Sequence, residues 1–184
     1  MKTPKRPLFD LGAQIRRSPT VSRWSLWLGM FSWVSAVVAL DQGIKAWVRS
    51  AVAFGTSYKV WPWLFWTPTW NHGVSFGLGS QASGWARIVL HGVIVVFLVI
   101  LGFMFARSQR LKERVGLGLM LAGALSNALD RFFFEGVFDF IHVSWRSWDF
   151  PVLNVADMLI TIGFLALFSG HLTWIGLKTF SKKH

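Results

Sequence analysis

The sequence predicts an all-α polytopic membrane protein: four transmembrane helices, a small extracytoplasmic β element and a short interfacial helix. Three observations carry this. Of 184 residues, 53% are hydrophobic and only 15% charged, with a mean hydropathy of +0.47, which is too apolar for a soluble domain of this size. Apolar runs recur at lengths that, at ~1.5 Å per residue, match a ~30 Å hydrocarbon core. Once those runs are threaded through a bilayer, the formal charge of +11 lies on one side of it.

The length suits one compact domain. Cysteine is absent, which excludes disulfides, thiolate nucleophiles and Cys-ligated metal sites. An isoelectric point near 11.2 would suggest nucleic acid in a soluble protein. Here the basic residues flank apolar runs, so membrane lipid is the expected partner and nucleic acid is not.

Residues 1–23 form a basic tail with six Lys or Arg, three prolines and one acid, Asp10. A basic segment before an apolar run also resembles a secretory signal, with Ala36-Val37-Val38-Ala39 as the cleavage region. Because the tail is long and further spans follow, the run is read as a retained first span over 24–45. Asp41 and Lys45 stand at i and i+4 near its end, in the acid-first order that favours a helical ion pair.

Between 48 and 84 the pattern changes to short runs of Trp, Phe, Val and Thr broken by Gly55, Pro62, Pro68 and Gly73. That pattern predicts a β element. Trp61, Trp63, Trp66 and Trp70 would hold it at the bilayer surface. Within it lies Asn71-His72-Gly73-Val74-Ser75-Phe76-Gly77, whose glycines permit tight turns.

The second span covers 87–106 and is followed by a basic loop from Arg107 to Arg114. The third covers 115–134; its apolar part, Val115 to Leu129, is too short to span alone, so Asn127, Asp130 and Arg131 must enter the membrane with it. The mixed polar and aromatic stretch 135–150 suits a surface loop or a short interfacial helix. Pro151 is read as a first-turn residue of the fourth span, 152–172. A second basic tail covers 178–184.

The two tails and the 107–114 loop hold thirteen basic residues and two acids, whereas the opposite side holds six of each. The positive-inside rule therefore puts both termini in the cytoplasm. Helix three runs outward and helix four inward, so Asp130 and Asp157 approach one depth near the outer face. An ionisable group inside a span costs at least ~2.5 kcal/mol, which makes each a functional candidate.

Asn127, Asp130 and Arg131 share one helix face, as do Asn154 and Asp157. Two nearby carboxylates in a dry site cannot both ionise cheaply, so one keeps a proton while the other acts as base. That pair can activate water and protonate a leaving amine. Two other readings stay open on spacing alone. Arg131 or Lys45 could simply neutralise an aspartate, or the acids could relay protons or cations in a carrier. Ser75 or Ser126 with His72 or His91 lacks any serine-protease spacing, and His-Glu-x-x-His is absent, so no metal site is expected.

Four blocks resemble the lipoprotein signal peptidase (signal peptidase II) family over roughly Trp33 to Gly163. They are Asp41-Gln42-x-x-Lys45; Asn71-x-Gly73-Val74-Ser75-Phe76; Gly123-Ala124 through Asn127-x-x-Asp130-Arg131 with Val137-x-Asp139-Phe140; and Asn154-x-Ala156-Asp157. The resemblance implies a cofactor-free, metal-free aspartic endopeptidase of the bacterial cytoplasmic (inner) membrane. It would cut a diacylglyceryl-modified prolipoprotein just before the lipidated cysteine. A monomer is expected. By motif position Asp130 and Asp157 would be the catalytic pair. Asn71, Gly73, Asn127, Arg131 and Asn154 would form the polar surround and substrate contacts, supported by Asp41 and Lys45. Similar proteins have a periplasmic β-cradle and an interfacial helix, which suit 48–84 and 135–150. Ala122, Ser126 and Leu153 depart from the family's usual residues, glycine at the first two and phenylalanine at the third.

Overall fold

A computed structural model describes residues 23–73 and 84–181. Helix α1 (Arg23–Ala51) leads to strands β1 (Tyr58–Trp61) and β2 (Leu64–Asn71), then to α2 (Gly84–Arg107) and α3 (Leu111–Phe134). Strands β3 (Val137–Trp145) and β4 (Trp148–Asp149) precede α4 (Val155–Ser181). Among the described residues, Trp27–Ala51, Ile88–Arg107 and Leu111–Phe134 are long and apolar enough to cross a membrane. The apolar stretch found in α4, Val155–Ser169, is shorter. The basic tail before residue 23, the Val74-Ser75-Phe76 part of the second block and the last basic residues, Lys182 and Lys183, lie outside the described residues.

The bundle is built around α3. Its buried face alternates glycine, alanine and serine with Leu117 and Met120, then ends in Asn127 and Asp130. Small residues let backbones approach closely. A Cβ at Gly123 would strike the Ala156 carbonyl oxygen of α4, and one at Gly163 the Gly116 carbonyl oxygen of α3. Helix α2, apolar around its circumference, exposes Ile88, Val89, Val93, Val96 and Val99, as a lipid-facing helix does.

The strands form one antiparallel sheet in the order β1-β2-β3-β4. Here the sequence expectation needs correction. The stretch 135–150 is a hairpin, not an interfacial helix, and it completes a sheet whose other half comes from 58–71. Val137, Phe138, Phe140, Ile141 and Val143 are β-branched or aromatic, the composition of a strand. Glu135, in the left-handed conformation (φ 60°), ends α3 and turns the chain into β3. Pro68 falls at a break in the β2–β3 register between Trp66 and Thr69, where its missing donor costs no ladder bond.

Helix boundaries also shift. Helix α1 continues to Ala51, so 48–51 is helical rather than part of the β element. Helix α4 starts at Val155, and Pro151 lies outside it rather than in its first turn. Leu153 pairs with Ile141, its N–H donating to the Ile141 carbonyl at 2.9 Å and its carbonyl accepting from Ile141 N–H at 2.7 Å. That pairing fixes the entry to α4 against β3. One apolar cluster, with Val34, Leu101, Phe105, Leu117 and Met120, fills the bundle. A second, with Val48, Val52, Phe138 and Phe140, lies beneath the sheet. The polar residues sit between the two.

Candidate active site

Two connected polar groups occupy this layer. In the first, Lys45 is fully buried and its Nζ lies 2.9 Å from Asp41 Oδ2 and 2.8 Å from Asp130 Oδ2. Its third donor goes to Asn127 Oδ1 at 3.1 Å. Asp130 is fully committed: Oδ1 accepts from Gln42 Nε2 at 2.8 Å, and Oδ2 also accepts from the Phe138 N–H at 3.2 Å. Ser126 Oγ donates to Asp41 Oδ2 at 2.5 Å and accepts from Gln42 Nε2 at 2.9 Å. A buried ion pair recovers its desolvation cost only when its remaining lone pairs are satisfied, and Asp130 meets that condition.

The second group surrounds Asp157. Asn154 precedes the first residue of α4, and its Oδ1 accepts from the Asp157 N–H at 2.9 Å. In return Asp157 Oδ2 accepts from the Asn154 N–H at 3.3 Å. The Asn-x-x-Asp spacing is thus a reciprocal helix cap, which fixes Asp157 in the first turn of α4. Asp157 Oδ1 accepts from Asn127 Nδ2 at 2.8 Å. The Asn127 amide is held in that orientation because its oxygen receives both Lys45 and, at 3.2 Å, Asn154 Nδ2.

Asp139 joins this second group. Its Oδ1 accepts from Asn154 Nδ2 at 2.6 Å and its Oδ2 from Asn71 Nδ2 at 3.1 Å. The β2–β3 register, with Asn71 opposite Val137 and Thr69 opposite Asp139, brings Asn71 there. Burial, with the nearby Asp157 charge adding to it, pushes the Asp139 carboxyl up to about 6. Asp139 is 2% exposed and Asp157 half-buried. Gly73 has a φ of 130°, and its N–H donates to Asn71 Oδ1 at 3.3 Å.

Arg131 interacts electrostatically with Asp157 first, then Asp139 and Asp130. Its Nη1 donates to the Asn127 carbonyl at 3.5 Å, and its Nε has no partner. The ion pair weighed for Asp157 with Lys45 is not formed, because Lys45 is taken by Asp41 and Asp130.

All nine residues singled out in the sequence thus lie in one layer, but not as expected. Asp130 faces Lys45, while the acid that shares its partners with Asp157 is Asp139. Asp139 carries no role in the sequence pattern, which predicts a loop or interfacial helix over 135–150. The available signal was an aspartate within a run of β-branched and aromatic residues. Gln42, which bonds Asp130, and Ser126, which bonds Asp41, also belong to the site without a sequence signal of their own.

A bundle of apolar helices that buries three carboxylates and their amide partners beneath a small sheet is a membrane-embedded protein with an acid-bearing polar site. A family model described as signal peptidase (SPase) II matches residues 33–173. The chain belongs to this family of proteases. It is 33% identical over 136 residues to the lipoprotein signal peptidase of Serratia marcescens, covering 74% of this chain and 80% of that one. The lipoprotein signal peptidase of Methylorubrum extorquens is 36% identical over 134 residues, covering 72% and 78%. A solved bacterial membrane enzyme superposes with a TM-score of 0.69 at 29% identity, covering 78% of this chain and 92% of that one.

Proposed function

We propose that this protein is an aspartic endopeptidase that removes the signal peptide from diacylglyceryl-modified prolipoproteins, with Asp139 and Asp157 as the catalytic pair. This moves one catalytic role from Asp130 to Asp139. The observation that carries it is the sharing of Asn154: its side chain donates to Asp139 while its backbone N–H donates to Asp157. An aspartic peptidase needs two carboxyl groups that divide one proton. Asp130, paired with Lys45 and also donated to by Gln42 and the Phe138 N–H, is unsuited to proton transfer.

In this mechanism Asp139, the acid raised by burial, holds the proton and hydrogen-bonds the scissile carbonyl. Asp157 takes a proton from water as its oxygen attacks the carbonyl carbon, and the tetrahedral oxyanion is neutralised by the proton from Asp139. Collapse breaks the C–N bond: the proton on Asp157 passes to the leaving amine, while one hydroxyl of the gem-diol returns its proton to Asp139 as the carbonyl re-forms. Asn71, Asn127 and Asn154 hold both carboxyl groups in orientation, and Arg131 adds positive charge beside Asp157 for substrate carbonyls.

Topology in this reading has four spans, both termini in the cytoplasm of a bacterium, and the site near the outer face of the inner membrane. A substrate anchored by its acyl chains would reach it from the bilayer. Membership of a protease family weighs against the carrier. The test is incubation of the purified protein with a diacylglyceryl-modified prolipoprotein and with the unmodified precursor. Cleavage of the modified form alone, before its cysteine, is expected; equal cleavage of both would overturn lipid recognition.

A further inference from the structure

The end of α3 remote from the aspartates carries a separate cluster. On a helix rising 1.5 Å per residue, Leu111 stands roughly 28 Å from Asp130. Residues 107–114 hold four basic side chains against one acid, Glu113. Arg107 extends over the Phe103 ring at 4.5 Å, and Arg110 makes only a solvent-exposed 3.3 Å contact with Glu113. Arg114 has a structural task, donating through Nη2 to the Ser108 carbonyl at 2.8 Å. Arg110 is the N-cap residue of α3 and makes no side-chain cap, so the first-turn amides and the positive end of the helix dipole face the same basic turn.

Two cavities flank this turn on either side of α3. One of about 510 Å³ is lined by Arg107, Ser108, Gln109 and Arg110 together with Met104, Leu117 and Leu167 of α4, and by one carboxylate, Glu113, so its two arginines leave a net positive charge. The other, about 370 Å³, is lined by Leu111, Arg114 and Val115 together with Gly29, Met30 and Trp33 of α1. Each thus joins basic groups at the turn to an apolar wall along the helices. Both volumes lie in the roughly 300–1,000 Å³ range of small-molecule sites.

We propose that this is a binding site for an anionic phospholipid, whose phosphate meets Arg107, Arg110 and the α3 N-terminus while its two acyl chains lie in the flanking grooves. Charge complementarity selects the headgroup: an anion meets both arginines and the helix dipole, whereas a zwitterionic headgroup carries its own cation into the same turn. The paired grooves select a two-chain lipid over a free phosphate. The site is independent of the peptidase reading, because none of its residues touches the aspartates.

The test uses the full chain in nonionic detergent, titrated with phosphatidylglycerol or phosphatidylcholine of identical chains, with bound lipid counted by native mass spectrometry. Phosphatidylglycerol should bind about tenfold more tightly or better, and the double substitution Arg107→Gln/Arg110→Gln should remove that preference. Gly29→Leu provides a second variant that leaves every charge in place. Gly29 lines the α1 groove, and nothing lies within 4 Å of a Cβ there. The substitution should weaken binding of the lipid but not of inorganic phosphate. Equal affinity for the two lipids, an unchanged preference in the double variant, or unaltered lipid binding in Gly29→Leu would each overturn the proposal. So would displacement of the lipid by inorganic phosphate at equal concentration.

Discussion

Lys45 Nζ lies 2.8 Å from Asp130 Oδ2, and neither side chain reaches solvent. This pair joins α1 to α3 and, through Asn127, holds the amide that bonds Asp157. The lysine therefore acts on the site at one remove, by fixing which end of Asn127 faces Asp157.

Removing one partner of a buried pair leaves an uncompensated charge and costs roughly 3–5 kcal/mol. Lys45→Met, which leaves Asp41 and Asp130 facing each other without a cation, is expected to lower the thermal midpoint sharply in detergent. Asp130→Asn should also destabilise, yet the folded fraction should retain measurable cleavage. Asp130→Asn protein of normal stability but no activity would return the catalytic role to Asp130.

Asp139→Asn and Asp157→Asn keep the size of the side chain and remove only the proton exchange. Each is expected to lower cleavage of a diacylated precursor by a factor of 10³ or more, on the order of what a lost catalytic group costs. Both should still be recovered folded. Full turnover by either purified variant would refute the pair.

The pH profile follows from the raised Asp139 carboxyl. If that group must carry the proton, kcat/KM should fall above about 6, with a slope approaching −1 per pH unit. Stability has the same sign, because the native state holds this proton more tightly than the unfolded chain, whose Asp titrates near 3.8. The contribution is complete below that value and is lost as pH rises through about 6. An activity limb that rises across this window instead would exclude Asp139 as the acid.

Gly123 sets the distance between α3 and α4 beside the site. A Cβ there would strike the backbone oxygen of Ala156, the residue preceding Asp157, and the Ile160 side chain. Gly123→Leu should push Asp157 from Asn127 and depress kcat, whereas Gly102→Leu, at a position with open space around it, should leave cleavage near wild type. Indistinguishable kcat values for the two variants would show that close α3–α4 packing is not required.

Periodicity made the helices and the glycine-broken β1–β2 segment legible, because hydrophobic runs and turn residues are local signals. The interfacial helix was misread for a physical reason. The β3 strand alternates only in part, since Phe138 packs into the cluster beneath the sheet while Asp139, its neighbour, faces the polar layer, and both are buried. An isolated stretch with aspartate, histidine and serine among aromatics looks like surface until β2, far earlier in the chain, is known to pair with it. The Asn154–Asp157 spacing was read as one helix face, whereas it is a cap whose first member lies outside the helix.

The sequence by itself determined the membrane setting, nine of the residues that gather in the polar layer and the family, because composition and short motifs are properties of the chain alone. Only the tertiary structure decided which carboxyl faces which partner. Lys45 lies one helical turn from Asp41 on α1, yet whether it meets Asp130 or Asp157 depends on how α1, α3 and α4 pack. The partner of Asp157 depends on a strand register and on the helix cap at Asn154. Those choices are made by long-range contacts, and no local pattern encodes them.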